Sequence, residues 1–531
     1  MKHCAPRALR GTHSGGRPKR EGSLSFDFLV SLMSKKLLLM TLLAIIFSII
    51  PIIWFTYLPL GDYPNHLASL QIRKTLSSNP YLANFYTYRW LFTPYLGLEL
   101  LATPLMYLVS VELVGKIVIV FTLVMICVGT ILLNRELNPN NWGGLSLFVG
   151  IFLYNGAFNS GFISYIIGIA FAIWAFWIWV RYRTKAKGIS ITLFTALAGI
   201  VCLMHLYAFA IYGICVAGYE CSVFWEKLRI ERQLRVSLLR IPFSGAVSLL
   251  VPLLATIGLS PVSNNHGQTI WGRPWGPSTF WDSIVKWKGE GLVSPIYFHY
   301  AFEKPLILAI FMILVWALST RTIIVSSRMV FPLAAFGVIF MIMPFELWGA
   351  AFADYRLPSG VAFFGWASLG WGEISVARIV AVRLLLSVCL IVRVGSVLSA
   401  WQPKQAIIGE YETALQSVPP GSRLLVIVGD SGYYLVHVPV LAAAKRGIFV
   451  PYTFTDNGVL TRGIQLLKLT PDYANYWRDF SDRSSIRDIK RFDYLLEIAK
   501  PQVNIPLDIS LNEVGSGKSF ILYRIDQNTA K

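Results

Sequence analysis

The stretch Gly61-Asp62-Tyr63-Pro64-Asn65-His66-Leu67-Ala68 places an acid and an imidazole four residues apart. Pro64 suits the first turn of a helix, with Asp62 or Tyr63 near its cap and His66 one turn further on. A carboxylate at that positive helix end could act as a general base or bind a cation. The spacing lets Asp62 and His66 converge on one hydroxyl or one ion. A divalent cation, Mg²⁺ or Mn²⁺, is the one cofactor they could hold. The plainer reading is an N-cap aspartate beside a solvated histidine, and the residues alone leave both open.

Other polar residues interrupt long apolar runs. Tyr154-Asn155-Gly156-Ala157-Phe158-Asn159-Ser160-Gly161-Phe162 reads as a tight turn. Its Asn155 and Asn159 amides are candidates for substrate binding, against a plain helix-hairpin turn. His205 ends an apolar run, where an imidazole faces a cavity or partner rather than lipid. Glu346, Asp354 and Arg356 fall together before a short apolar segment. Arg356 could take a phosphate bidentately, or pair with Asp354. Arg393 sits inside the last long apolar run, which demands a polar cavity, an anion or a route to the interface. Residues 261–304 carry Trp271, Trp275, Trp281 and Trp287 with His266, Arg273, Asp282 and His299. Most of those indoles read as an interfacial aromatic belt, with one or two free to stack on a sugar or shelter a prenyl chain.

These residues must be held by apolar helices. Of 531 residues, 55% are hydrophobic and 14% charged, against roughly 25% charged in a soluble domain. A single soluble domain and a disordered chain are both excluded, and a multi-span α-helical membrane protein is expected. Apolar segments lie near 37–58, 113–133, 142–157, 161–180, 189–205, 206–225, 239–260, 305–320, 327–345, 359–372 and 378–400, so about eleven transmembrane helices are expected. Leu96 to Val111, with Pro104 inside, reads as an interfacial helix that does not cross. With the N-terminus cytoplasmic, the loops then sort by charge. The inside loops, such as Arg181 to Lys187, are strongly basic. The outside loops 59–112, 261–304 and 346–356 are near neutral, as the positive-inside rule requires. The net charge of +19 is therefore a topology signal, and nucleic-acid binding is not expected.

Residues 1–35 read as a basic, disordered cytoplasmic tail and 36–401 as the transmembrane domain. Residues 402–531 are less apolar, with short β-like runs and turn signals at Pro419-Pro420-Gly421 and Gly429-Asp430-Ser431-Gly432. They read as a small soluble exocytoplasmic α/β domain. The six cysteines form no CxxC or His/Cys cluster, which argues against a disulfide framework or zinc site. No phosphate-cradling glycine loop is present. All the candidate chemistry faces away from the cytoplasm, where nucleotide donors are.

The pattern resembles the GT-C superfold of integral-membrane glycosyltransferases. It rests on a first span followed at once by Asp62, juxtamembrane helices in that loop, about eleven spans, polar outer loops and an exported C-terminal domain. The resemblance implies Asp62 as catalytic base and Arg356 as a phosphate ligand. It also implies a polyprenyl-phosphate-linked sugar donor, a glycan, lipid or protein acceptor, and a site in membrane lipid at the outer face of a bacterial inner membrane. Many members carry two adjacent acids where this chain has Asp62-Tyr63. On this reading His66, Asn155, Asn159, His205, Glu346, Asp354, Arg356 and Arg393 are substrate-binding candidates. The competing expectations are a transporter or flippase of envelope precursors and a non-catalytic envelope-assembly protein.

Overall fold

The computed structural model describes residues 35–141, 144–184, 189–231, 240–259, 283–347, 350–372, 375–428, 437–455, 466–473, 489–498 and 510–526. The N-terminal tail up to residue 34, the loop residues His266, Trp271, Arg273, Trp275, Trp281 and Asp282, and the turn at 429–432 lie outside them. The chain divides after Leu43. Of the first unit, the described part is the start of a helix; everything below concerns the unit from Ala44 onward.

The molecule is mostly helical. In chain order the main helices are α1 (Lys35–Trp54), α2 (Tyr63–Thr75), α3 (Gly97–Met106), α4 (Val111–Leu137), α5 (Ile163–Tyr182), α6 (Ile189–Met204), α7 (Leu206–Glu231), α8 (Arg240–Leu259), α9 (Glu303–Ser319), α10 (Val330–Ile342), α11 (Ala353–Ala367), α12 (Val376–Leu415) and α13 (Val438–Arg446). Five of them, α4, α5, α7, α8 and α12, are long and apolar enough to cross a membrane. α5 is largely buried among its neighbours, whereas α8 exposes most of its apolar side chains.

About eleven spans, several of them short, are expected from the sequence, and two of the shorter ones are not continuous α-helix. At 142–157 the described chain is a 3₁₀ helix, Leu145–Phe152, followed by the single turn Gly156–Asn159. A 3₁₀ helix rises about 2.0 Å per residue, so it covers its distance with fewer residues. Trp366 Nε1 donates to Leu145 O near one end of this segment, and Gly61 N donates to Asn159 O at the other. Almost every residue between is buried, so irregular backbone there is shielded by protein. Likewise 359–372 is the end of the 15-residue α11 followed by a strand.

The helices join two polar ends. At one end Asn134 of α4 donates to Ala367 O and Leu369 O, at 2.8 and 2.6 Å. There β2 (Ile323–Val325) pairs antiparallel with β3 (Leu369–Trp371). The other end gathers residues 61–62, the 155–161 turn, His205 and the start of α11.

The C-terminal region is not the separate domain expected from 402 onward. α12 runs without a break through that position, with Pro403 inside it. β4 (Leu424–Val428), β6 (Tyr494–Ile498), β8 (Phe520–Asp526) and β7 (Ser510–Ser516) form a sheet in that order, β4 and β6 parallel and the rest antiparallel. The first loop joins it: β1 (Tyr86–Tyr88) pairs antiparallel with β5 (Leu467–Leu469). Ala68, Ile72, Leu82, Phe85 and Tyr86 share one apolar core with the sheet and the end of α12. Phe85 stacks on Phe449 at 4.0 Å. Hydrophobic burial thus fuses the two regions.

Candidate functional site

Asp62 occupies the N-cap of α2, with Pro64 in the first turn, as the residue pattern predicts. Its side chain makes no capping bond. The backbone is in the α region there (φ −75°, ψ −13°), not the extended region from which an N-cap side chain usually accepts from the helix amides. It remains partly exposed, at 23%.

The 155–161 turn holds Asp62 in place. Gly61 N donates to Asn159 O and Asp62 N to Ser160 O, both at 2.9 Å. A Cβ at Gly61 would meet Ser160 O at 2.6 Å, and one at Gly161, where φ is +82°, would meet Asp62 N at 2.4 Å. Backbone lies against backbone, which only glycine permits. Asn155 caps the single turn by accepting from Phe158 N at 2.9 Å and donates to Phe152 O at 3.0 Å. Asn159 donates to Tyr154 O and Asn155 O and accepts from Tyr300 Oη. Both are fully buried. Their amides build the turn that supports Asp62.

Facing the carboxylate is a residue that the sequence pattern did not single out. His437, at the N-cap of α13, brings Nε2 to 3.5 Å from Asp62 Oδ1. His437 Nδ1 lies 3.0 Å from Asn65 Nδ2, which also donates to Tyr452 O at 2.9 Å. His66, expected as a solvated or ligand-binding histidine, is 3% exposed. Its ring meets Phe454 edge-on at 5.2 Å and lies 6.3 Å from Tyr95, and its Nε2 has no hydrogen-bond partner. Burial, only partly offset by Asp62, brings its pKa down to about 4. His66 is therefore neutral at pH 7, with one imidazole nitrogen left unsatisfied.

From His66 an aromatic wall continues to Arg356. Tyr95 lies 5.4 Å from His205, and His205 lies 5.3 Å from Tyr165 and 5.8 Å from Tyr207. The Arg356 guanidinium sits 4.0 Å over Phe162 and 5.5 Å from the Tyr207 ring. Tyr165 Oη donates to Arg356 O at 2.6 Å, fixing the start of α11. Arg356 Nε is buried without a partner, and no carboxylate pairs with this guanidinium among the described residues. Burial holds the Tyr95 hydroxyl protonated; Arg356 acts against this, while Asp62 and Glu99 reinforce it. Tyr95 thus lies within electrostatic reach of both the carboxylate and the guanidinium.

The remaining candidates distribute differently. Asp354 is buried beside Arg356 on α11, and Glu346 precedes Leu347, whose carbonyl accepts from Tyr207 Oη at 3.3 Å. Both lie at this end of the bundle. Arg393 does not join them. It is wholly buried and paired through Nη1 with Glu303, also wholly buried, while Nη2 donates to Tyr154 O. Glu303 Oε2 accepts from Phe298 N and Tyr300 N. This arginine does not snorkel; its anion is the Glu303 carboxylate, and it ties α12 to α9. Trp287 and His299 are described, the latter exposed and bonded through Nδ1 to Tyr297 Oη.

Asp62 and His66 supply one carboxylate and one imidazole. The His437 imidazole stands beside that carboxylate. Mg²⁺ takes octahedral, oxygen-rich coordination, and of these three side chains only Asp62 offers oxygen. No step below runs through a metal ion.

No family model matches the chain. No curated protein is similar enough to stand as a relative. The reading of the site therefore rests on its geometry.

Proposed function

We propose that the protein is a membrane glycosyltransferase of the GT-C type, transferring a sugar from a polyprenyl-phosphate donor at the outer face of a bacterial inner membrane. One observation carries the reading. A carboxylate without a capping role and a guanidinium without a carboxylate partner stand at the same end of an apolar bundle, joined by an aromatic wall. Exposed apolar side chains on α8 and α9, such as Leu254, Ile257, Leu308 and Phe311, suit a lipid-facing surface rather than water.

The chemistry follows from the two charges. Asp62 takes the proton of the acceptor hydroxyl as that oxygen attacks the anomeric carbon. The bond from that carbon to the phosphate oxygen breaks, and polyprenyl phosphate leaves with the electron pair. Arg356 stabilises the charge that gathers on the departing phosphate. Attack opposite the leaving group inverts the anomeric centre. The aromatic faces of Tyr95, Tyr207 and Phe162 suit the apolar faces of a sugar and the first prenyl units. On this reading His66 Nε2 and His205 bond donor or acceptor hydroxyls.

The test uses full-length protein in nanodiscs with short-chain polyprenyl-phosphate-linked hexoses carrying a radiolabelled sugar. Wild type is expected to release polyprenyl phosphate, and Asp62→Asn to lose at least about 10³-fold of that rate while unfolding at the wild-type temperature. Turnover by Asp62→Asn at the wild-type rate would overturn the assignment.

A further inference from the structure

The proton on His437 has only one place to be. The Phe454 amide N–H donates to Asn65 Oδ1 at 2.7 Å, and Asn65 Nδ2 lies 2.9 Å from the Tyr452 carbonyl oxygen. A backbone amide can only donate and a carbonyl can only accept, so the two ends of the Asn65 amide cannot be exchanged. The second Nδ2 hydrogen is directed at His437 Nδ1, 3.0 Å away. That nitrogen must accept. Neutral His437 therefore carries its hydrogen on Nε2, the nitrogen that faces Asp62 Oδ1 at 3.5 Å. The ring is 5% exposed and held between Tyr452 and Phe454, at 5.4 and 5.1 Å. Asp62 and His437 each begin a helix, and α2 packs on α13.

We propose that His437 is a positioning residue for Asp62. Its Nε2–H engages Oδ1 and turns Oδ2 toward the acceptor. The present separation is long for a hydrogen bond, and such bonds tighten when substrate is bound. The C-terminal region is then part of the reacting centre and not an appendage to it. Asn65 acts one step further out by setting the tautomer. The proposal rests on the reading of Asp62 as the base, and its first test does not depend on turnover.

That test is the nitrogen spectrum of the full-length chain in nanodiscs, labelled with ¹⁵N-histidine, with the His437 signals identified by their loss in His437→Gln. At pH 7.5 the expected result is a single tautomer with Nε2 protonated and Nδ1 bare. Asn65→Asp replaces the donating NH₂ with an acceptor oxygen, and the hydrogen is expected to move to Nδ1. A wild-type signal from the Nδ1–H tautomer, or a mixture insensitive to Asn65→Asp, overturns the proposal. Should Asn65→Asp not fold, Asp62→Ala serves instead: the Nε2 signal moves and Nδ1 stays bare. An unmoved Nε2 signal there overturns the coupling.

The second test is kinetic, with the same donor as above. His437→Gln is expected to lower kcat on the order of 10²-fold with KM near wild type. An effect on KM alone overturns the positioning role. If wild type transfers no sugar at all, the glycosyltransferase reading fails, and the spectrum still decides whether His437 engages Asp62.

Discussion

At the scale of single residues, the site combines groups whose protonation is set by burial and by fixed partners. His66 shows this most directly. Its pKa falls from the ordinary 6.5 to about 4, so between those values the unfolded chain binds a proton that the native chain refuses. Stability is then complete above about pH 6.5 and is lost as the pH falls toward 4, by up to roughly 3 kcal/mol. His66→Phe keeps the ring contacts and removes the titration. Thermal unfolding of both proteins from pH 8 to 4 should show wild type losing ground to the variant across that window. Parallel curves would mean that His66 is solvated in the folded protein. The C-terminal sheet region has a simpler case in Arg423, whose fork bonds Asp493 through Nε and Nη2 at 3.1 and 2.8 Å. This half-exposed pair adds little to stability but ties the start of β4 to the residue before β6.

At the scale of elements, the decisive device is the buried pair between α9 and α12. Removing one partner from a buried ion pair leaves an uncompensated charge, at a cost of about 3–5 kcal/mol. Arg393→Met and Glu303→Leu should each lower the unfolding temperature sharply in detergent. The double variant should recover much of the loss, because neither charge remains. Strictly additive losses would show that the pair is not coupled. The same pair explains why Arg393 does not join Arg356: its Nη groups are already engaged by Glu303 and Tyr154. The 155–161 turn is the second such device. It contributes backbone and not side chains, because glycine at 61 and 161 lets two loops touch directly.

At the scale of the whole molecule, the first loop and the C-terminal region behave as one body. Thr87 lies opposite Lys468 in the pairing of β1 with β5. Thr87→Cys with Lys468→Cys should form an intramolecular disulfide on mild oxidation, read as faster migration on a non-reducing gel, since directly opposed strand residues have the required Cβ separation. The absence of that species under oxidising conditions would break the pairing. The pairing also requires loop 59–112 and the region after α12 to lie on one side of the bundle. The expectation drawn from charge parity placed both outside, and strand pairing tests only that they share a side.

Much of this was legible in the chain itself. Apolar runs and basic alternate loops point to a helical bundle with its chemistry at one end, because helix periodicity and charge placement are local properties. Asp62 at a helix start follows from Pro64, and the turn at 155–161 follows from its glycines and asparagines. What could not be read is every partner distant in sequence. His437 lies 375 residues from Asp62, and Glu303 lies 90 from Arg393. Nothing in the spacing of either residue marks the other. Which side chains carry charge and where apolar helices form can be read from the chain. Which charges neutralise one another, which amides are consumed by their own turn, and which imidazole meets the carboxylate are settled by packing. Those outcomes depend on how distant segments desolvate each other when their apolar faces pack, and no local pattern encodes that.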